Sequence, residues 1–376
     1  MRFLLLRSCV LPAFAAVALA LCPLAEARTF FLAPDGRDTA SRSGSANQPW
    51  KTPQYAAGRM ANGDDLTLQA GTYYLSTPQT FDRSGSGSNK TVIQAAPGAR
   101  VIFDGSRITQ DWKNLLLIDG DHVVVRRLEF RRYDIGGGCV LRGDNGVIDD
   151  CKAYELGGWG LQIGGGNTFP GPRNCTIQYS SVYNCVLMNK QGAPHYQGWK
   201  DNGGGWPGAM GVGHATNARV LNNWVGGNHG EGIILSRVRG GQTLVQGNYA
   251  RDNYSVNIYL DGVSGDNSSY ARVKDNTCET QFKSEFYRSG SPAHNFMVSS
   301  ENYDNLNQAN NDTQKLSLTG NTARNGGHNF LIYGSGKPIH DVWIDGNTAQ
   351  GSSWGNYKRT GQSYIYNIWL GRNSGF

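Results

Sequence analysis

Three polar side chains recur at one place in successive repeats of this chain. His214, Arg237 and Asp261 each stand at or just past the end of a short apolar strand, and Tyr259 lies two residues before Asp261. An imidazole, a guanidinium and a phenol set side by side are the parts needed to take a proton from a carbon next to a carboxylate. The cation neutralises the carboxylate, the base accepts the proton, and the acid protonates the departing oxygen. On this reading Arg237 or Arg142 is the cation, His214 or Lys200 the base and Tyr259 the acid. A neighbouring arginine would lower a histidine or lysine pKa into the useful range.

Two other arrangements compete for the same chemistry. Asp261 and Glu301, on adjacent repeats and offset by two residues, are expected at roughly 8 Å, a separation that suits an inverting glycoside hydrolase. Glu231 and Asp261 are expected about 16 Å apart, too far for a hydrolytic pair or a shared ion. A second polar group, His229, Glu231, Tyr254 and Asn257, stands at the beginning of the same strands.

These residues need a frame that repeats. Ile233, Leu235, Val245 and Asn248 return in the same order as Ile258, Leu260, Val273 and Asn276, which is the signature of a β-solenoid with short coils. Strand starts align at Leu115, Gly138, Gly160, Ala209, Gly232, Asn257, Asn295, Asn329 and Asn367. Period-two alternation sends Leu116/Ile118, Cys139/Leu141, Leu161/Ile163, Met210/Val212, Ile233/Leu235, Ile258/Leu260, Phe296/Val298 and Phe330/Ile332 into one inner stack. Asn223, Asn248, Asn276, Asn321 and Asn347 close polar corners, where asparagine bonds backbone groups and tolerates left-handed geometry, so these are read as structure. Equivalent positions in stacked coils lie about 4.8 Å apart, making His214 and Arg237 neighbours and placing Asp261 within about 10 Å of His214.

The largest departure from uniformity is Leu187 to Pro207, an insertion between two coils that carries His195, Tyr196, Trp199, Lys200, Asp201 and Trp206. Aromatic rings mixed with charge suit stacking on sugars at the edge of a cleft, with Trp199, Trp206 and His195 as candidate binding residues. Beneath this loop the outward positions Gln162, Gly164, Gly211 and Gly213 leave a bare floor. Arg142, His229, Glu231, Tyr254 and Glu301 complete the expected binding surface.

Residues 1–27 read as a secretory signal peptide, with Arg2 and Arg7, an apolar run from Val10 to Leu21 and Ala25-Glu26-Ala27 as cleavage signal. Leu21 before Cys22 disfavours a lipoprotein signal, so export as a free protein is expected. Residues 28–376 form one domain with 33 basic and 28 acidic side chains, +5 overall, and no further membrane-length apolar run. A mildly basic surface suits an acidic partner, and no basic cluster points to nucleic acid. Five cysteines remain, Cys139, Cys151, Cys175, Cys185 and Cys278; an odd number leaves at least one unpaired, and all five read as small apolar filler without zinc spacing.

The opening of the domain is more specific. Phe30-Phe31-Leu32-Ala33-Pro34-Asp35-Gly36, then Gln48-Pro49-Trp50-Lys51-Thr52, a short helix around Ala56, Gly63-Asp64-Asp65 and Ala70-Gly71-Thr72-Tyr73 resemble the amino-terminal segment of secreted right-handed parallel β-helix proteins of the pectate-lyase-like superfamily. The resemblance implies an all-β right-handed parallel β-helix whose short helix, Thr52 to about Met60, caps the first coil and hides its strand edges. Members of the superfamily include pectate lyases, other uronic-acid lyases, epimerases and glycoside hydrolases. In the lyase group with this opening, calcium sits in an Asn-x-Asp-Asp-Gly-type cluster and a lysine is the base. This chain has Asn228-His229-Gly230-Glu231-Gly232 instead, so no metal ligand is assigned and Ca2+ stays a candidate cofactor only.

The resulting expectation is an exported, monomeric polysaccharide lyase that cleaves an acidic, uronic-acid-containing chain by β-elimination. A glycoside hydrolase built on Asp261 and Glu301 is the alternative, and a non-catalytic polysaccharide-binding or surface protein the third reading.

Overall fold

A computed structural model of the chain describes residues 27–376 except 165–170, 199–206, 282–283, 288–290 and 302–311. The expected leader thus lies, but for its last residue, outside the described residues, as do Trp199, Lys200, Asp201 and Trp206. Alternating apolar residues with polar corners produce three parallel sheets of twelve, ten and ten strands. Each coil places one strand in a ten-stranded sheet, the next in the twelve-stranded sheet and the third in the other ten-stranded sheet. The domain is a right-handed parallel β-helix. The first of these sheets, running from Gln79–Phe81 to Tyr357–Thr360, carries the candidate residues and is called the site sheet below.

Register follows the side chains that must be buried. Met210, Ile233, Ile258, Phe296 and Phe330 are partners on successive strands of the site sheet, as are Val212, Leu235, Leu260, Val298 and Ile332. All ten are buried, so the expected inner stack is the core. Each such side chain contributes about 1.5–3 kcal/mol of transfer free energy, and the Phe296 and Phe330 rings stack at 4.9 Å. A one-residue slip would turn every one of them outward.

The corners are held by amides. Asn223, Asn248, Asn276, Asn321, Asn347 and Asn373 form one ladder, each Nδ2 donating to the next Oδ1 at 2.9–3.0 Å. A second ladder, not expected from the sequence, joins the other corner: Asn228, Asn253, Asn257, Asn295, Asn329 and Asn356, with steps of 2.6–2.9 Å. Asn257 therefore leaves the functional group in which the sequence placed it and belongs to the scaffold. Gly232 lets this ladder pass, because a Cβ there would meet Asn253 Nδ2 at 2.6 Å and crowd the Asn257 carbonyl.

Two element assignments change. Asn367 does not open a strand of the site sheet: it precedes Ile368–Leu370 of the twelve-stranded sheet, and the last site-sheet strand is Tyr357–Thr360. Asn367 itself adopts φ 49°, a left-handed corner, which mimics the asparagine that starts a coil. The capping helix is Pro53–Ala57, shorter than expected, with Thr52 as N-cap accepting from the Tyr55 N–H and Ala56 and Ala57 buried. Cys139, Cys151, Cys175, Cys185 and Cys278 are all buried free thiols.

Candidate functional site

The outer face of the site sheet is where the coils stop being alike. Gly164, Gly213, Ser236, Asp261 and Ser299 are successive partners along one outward row, and Gln162, Gly211, Ile234, Tyr259 and Met297 along the row before it. The glycine floor of Gly164, Gly211 and Gly213 is therefore real; it is followed by Ile234 and Ser236 and, one rung further, by Tyr259 and Asp261. His214 and Arg237 follow the outward row by one residue, both in the left-handed region at φ 55°, which tips their side chains off the strand end instead of along it.

His214, Arg237, Asp261 and Tyr259 are brought together with Glu301 through a continuous series of contacts. Arg237 Nη1 lies 3.1 Å from His214 Nε2, and the Arg237 N–H donates to the Asp261 carbonyl at 2.8 Å. Asp261 Oδ1 accepts the Glu301 N–H at 2.9 Å, and Glu301 Oε1 accepts the Tyr259 hydroxyl at 2.7 Å. Glu301 stands two residues past Ser299, the partner of Asp261, so the Tyr259 side chain leans along its strand toward the edge that holds His214 and Arg237. All of these side chains except Glu301 are at least nine-tenths buried.

The electrostatics divide the roles. A guanidinium can only donate, so His214 Nε2 must be the acceptor of the Arg237 bond and the imidazole proton sits on Nδ1. Burial, then the charges of Arg237 and Arg239, lower the His214 pKa and keep the ring neutral, as a base requires. Tyr259 moves the opposite way. Burial and then the negative charges of Asp261, Glu231 and Glu301 push its pKa far up, so the phenol keeps its proton until a strongly basic oxygen develops beside it.

Other expected residues lie elsewhere or play different parts. Arg142 is bound to Asp119 at 2.9 Å and sits three rungs from Arg237 along the site sheet, so it does not join the cluster. His195 is exposed on a turn of the described part of the insertion. His229 is buried, its ring 5.0 Å from that of Phe286 and its carbonyl accepting from Asn189 at 2.6 Å. Tyr254 is buried with its N–H shared between the Asn228 and Gly230 carbonyls. Glu231 opens its strand level with Val256, five residues from the Asp261 end, as the spacing required. Two contributors escaped sequence reading. Arg239 adds a second positive charge to His214 and could have been found as the next alternate position after Arg237. Phe286 lies in the longer-than-average segment between Cys278 and His294, a coil-length signal of the same kind as Leu187 to Pro207.

The fit to calcium is poor. Asp261 Oδ1 is spent on the Glu301 N–H and Glu301 Oε1 on the Tyr259 hydroxyl, and among the described residues no three carboxylate, imidazole or thiol side chains converge as an ion needs. The same bonds make Asp261 the residue that holds Glu301 in place, a poor use of one half of a hydrolytic pair.

The chain is thus a right-handed parallel β-helix with a polar cluster on the outer face of one sheet. Residues 30–195 match the family model described as "Pel9A-like, right handed beta helix region", in line with the resemblance read from the opening segment. Among solved structures, the chain is similar to pectate lyase Pel9A, with 15% identity, 88% of this chain and 80% of that one covered, and a TM-score of 0.55. It is also similar to an alginate lyase from Paenibacillus sp. str. FPU-7, with 13% identity, 92% and 99% covered and a TM-score of 0.55. A GH136 lacto-N-biosidase from Eubacterium ramulus matches at 11% identity, 93% and 68% covered and a TM-score of 0.52. At these identities the likeness establishes the fold. No curated protein sequence matches the chain.

Proposed function

We propose that this protein is an exported polysaccharide lyase that cleaves an acidic, uronic-acid-containing chain by β-elimination, acting as a monomer after loss of residues 1–27. The observation that carries the reading is the Arg237–His214 contact, joined through Asp261 and Glu301 to a protonated Tyr259 at the edge of a bare floor. The similar solved structures that cleave pectate and alginate support the substrate class, and the mildly basic chain suits it.

In this mechanism the substrate carboxylate draws Arg237 away from His214 and spreads the charge that builds on it as C5 loses its proton. The same movement frees the Nε2 lone pair. His214 takes the C5 proton, the C5–H electron pair becomes the C4=C5 double bond, and the C4–O4 bond breaks with its electrons on O4. Tyr259 protonates that oxygen, an alkoxide basic enough to take a proton from so weak an acid. Asp261 and Glu301 hold the phenol in position.

The test is to incubate the purified protein with alginate, polygalacturonate and a neutral galactomannan while following both ultraviolet absorbance of the unsaturated product and new reducing ends. Both signals on an anionic polymer are expected. Reducing ends without the absorbance would replace the lyase with a hydrolase, and neither signal with retained binding would leave a binding protein.

A further inference from the structure

We propose that the outer face of the twelve-stranded sheet, toward its C-terminal end, is a second polysaccharide-binding site that takes an anionic chain laid along the solenoid axis. It rests on the proposed function only for the class of polymer. The site lies on a different sheet from His214, Arg237 and Tyr259 and shares no residue with that cluster.

Register places Arg219, Leu244, Arg272, Ser317, Trp343 and Trp369 in a single outward row. Five rung steps of about 4.8 Å make a track about 24 Å long. Outward positions on a solvated sheet are normally polar, yet Trp343 and Trp369 are 43% and 42% exposed with ring centroids 6.3 Å apart. Beside them Tyr270 and Trp343 wall a cavity of about 610 Å³ whose lining includes Gln242, Ser269, Arg272 and Ser317. Indole and phenol faces suit the apolar faces of sugar rings, and the amide and hydroxyls suit ring substituents.

Charge selects the kind of sugar. Three outward arginines elsewhere on the solenoid are matched by a carboxylate one rung away: Arg126 by Asp149 at 2.7 Å on this same sheet, Arg131 by Asp104 at 3.0 Å and Arg142 by Asp119 at 2.9 Å. The guanidinium groups of Arg219 and Arg272 have no such partner among the described residues. No side chain lining the cavity is acidic. The nearest carboxylate in the adjoining turn, Asp266, already accepts from the Gly241, Ser268 and Ser269 N–H groups at 2.9 Å. Two unmatched cations at one end of the row and stacking rings at the other fit a chain that carries carboxylates along its length.

The experiment is native affinity electrophoresis of the full chain in gels containing alginate, polygalacturonate or neutral galactomannan, comparing wild type with the Arg272→Gln/Trp343→Ala double variant. Both positions are exposed, so melting temperature and turnover of short oligosaccharides should be unchanged. Expected is retardation of the wild type by at least one anionic polymer but not by galactomannan, with affinity reduced by about fivefold or more in the double variant. Equal retardation of variant and wild type, no retardation by either anionic polymer, or equal retardation by galactomannan would overturn the proposal. So would a dimer in sedimentation that Trp369→Ala dissociates, since the face would then be an interface between copies. Retention is read without turnover. A protein inert toward every polymer but retained through Arg272 and Trp343 would sink the lyase reading and leave this one standing.

Discussion

Tyr259 and Glu301 are joined by a 2.7 Å hydrogen bond from phenol to carboxylate, across neighbouring coils of the site sheet. The bond aims the hydroxyl at the strand end and, with burial and the charges of Asp261 and Glu231, keeps it protonated. Tyr259→Phe should therefore remove the proton donor without disturbing the fold, lowering turnover by about 10²–10⁴-fold. Glu301→Gln keeps an acceptor oxygen and should cost much less. Product absorbance for both variants checks this; equal rates for Tyr259→Phe and wild type would take the phenol out of the mechanism.

Arg237 and His214 should show their coupling in the pH profile. The proposed base works only when neutral, so activity should fall as pH drops through the lowered His214 pKa. Arg237→Gln removes one of the charges that lower it, so the acid limb should move upward toward the ordinary histidine value of 6.5. Turnover should also fall by an amount equivalent to about 2.7–4 kcal/mol, the cost of one charge-stabilising contact at a reacting centre. A reduced rate with an unshifted limb would leave Arg237 a binding residue and exclude it as the group that tunes His214.

Leu235 tests the strand phase. It is fully buried between Val212 and Leu260, and Leu235→Asp would place a carboxylate among apolar rungs at a cost of several kcal/mol, comparable with the stability of a domain. Loss of soluble, cooperatively melting protein is expected in circular dichroism.

His294 and His328 predict how stability responds to acid. Their rings stack at 5.1 Å beneath Trp354, and burial lowers both, His294 to about 4. Above pH 6.5 both histidines are neutral in the folded and the unfolded chain and contribute nothing. As pH falls from 6.5 toward 4 the unfolded chain takes up protons that the folded one refuses, so stability is lost across that window. His294→Phe should flatten the decline of Tm between pH 6.5 and 4.

The fold was legible because its rule is short. Alternation located Ile233, Leu235, Ile258 and Leu260 in the core, and asparagine after the second strand located the corner ladder. The second ladder was missed because it changes place within the coil: Asn228 and Asn253 follow the third strand, whereas Asn257, only four residues on, lies inside the next site-sheet strand, so no single period links them. In the site, stacking alone made His214 and Arg237 neighbours. The link from Tyr259 to Glu301 was not legible, since it depends on which way a phenol leans along its strand. Arg142 misled for a similar reason: its type suits a carboxylate, but Asp119 one rung away already supplies one.

Both asparagine ladders run the same way. Between asparagines, each Nδ2 donates to the Oδ1 of the next member toward the C-terminus, from Asn223 to Asn373 and from Asn228 to Asn356. Their dipoles therefore add along the axis instead of cancelling, and each amide polarises the next. Ahead of them the corresponding corners hold Cys151 and Ser180 on one side and Cys185 on the other, whose backbone N–H groups are capped by the side chains that follow. The barrel thus has a plain half and a wired half. Cutting any one amide withdraws polarisation from its whole row, so the coils beyond Asn223 should loosen as a block while those before it open one at a time.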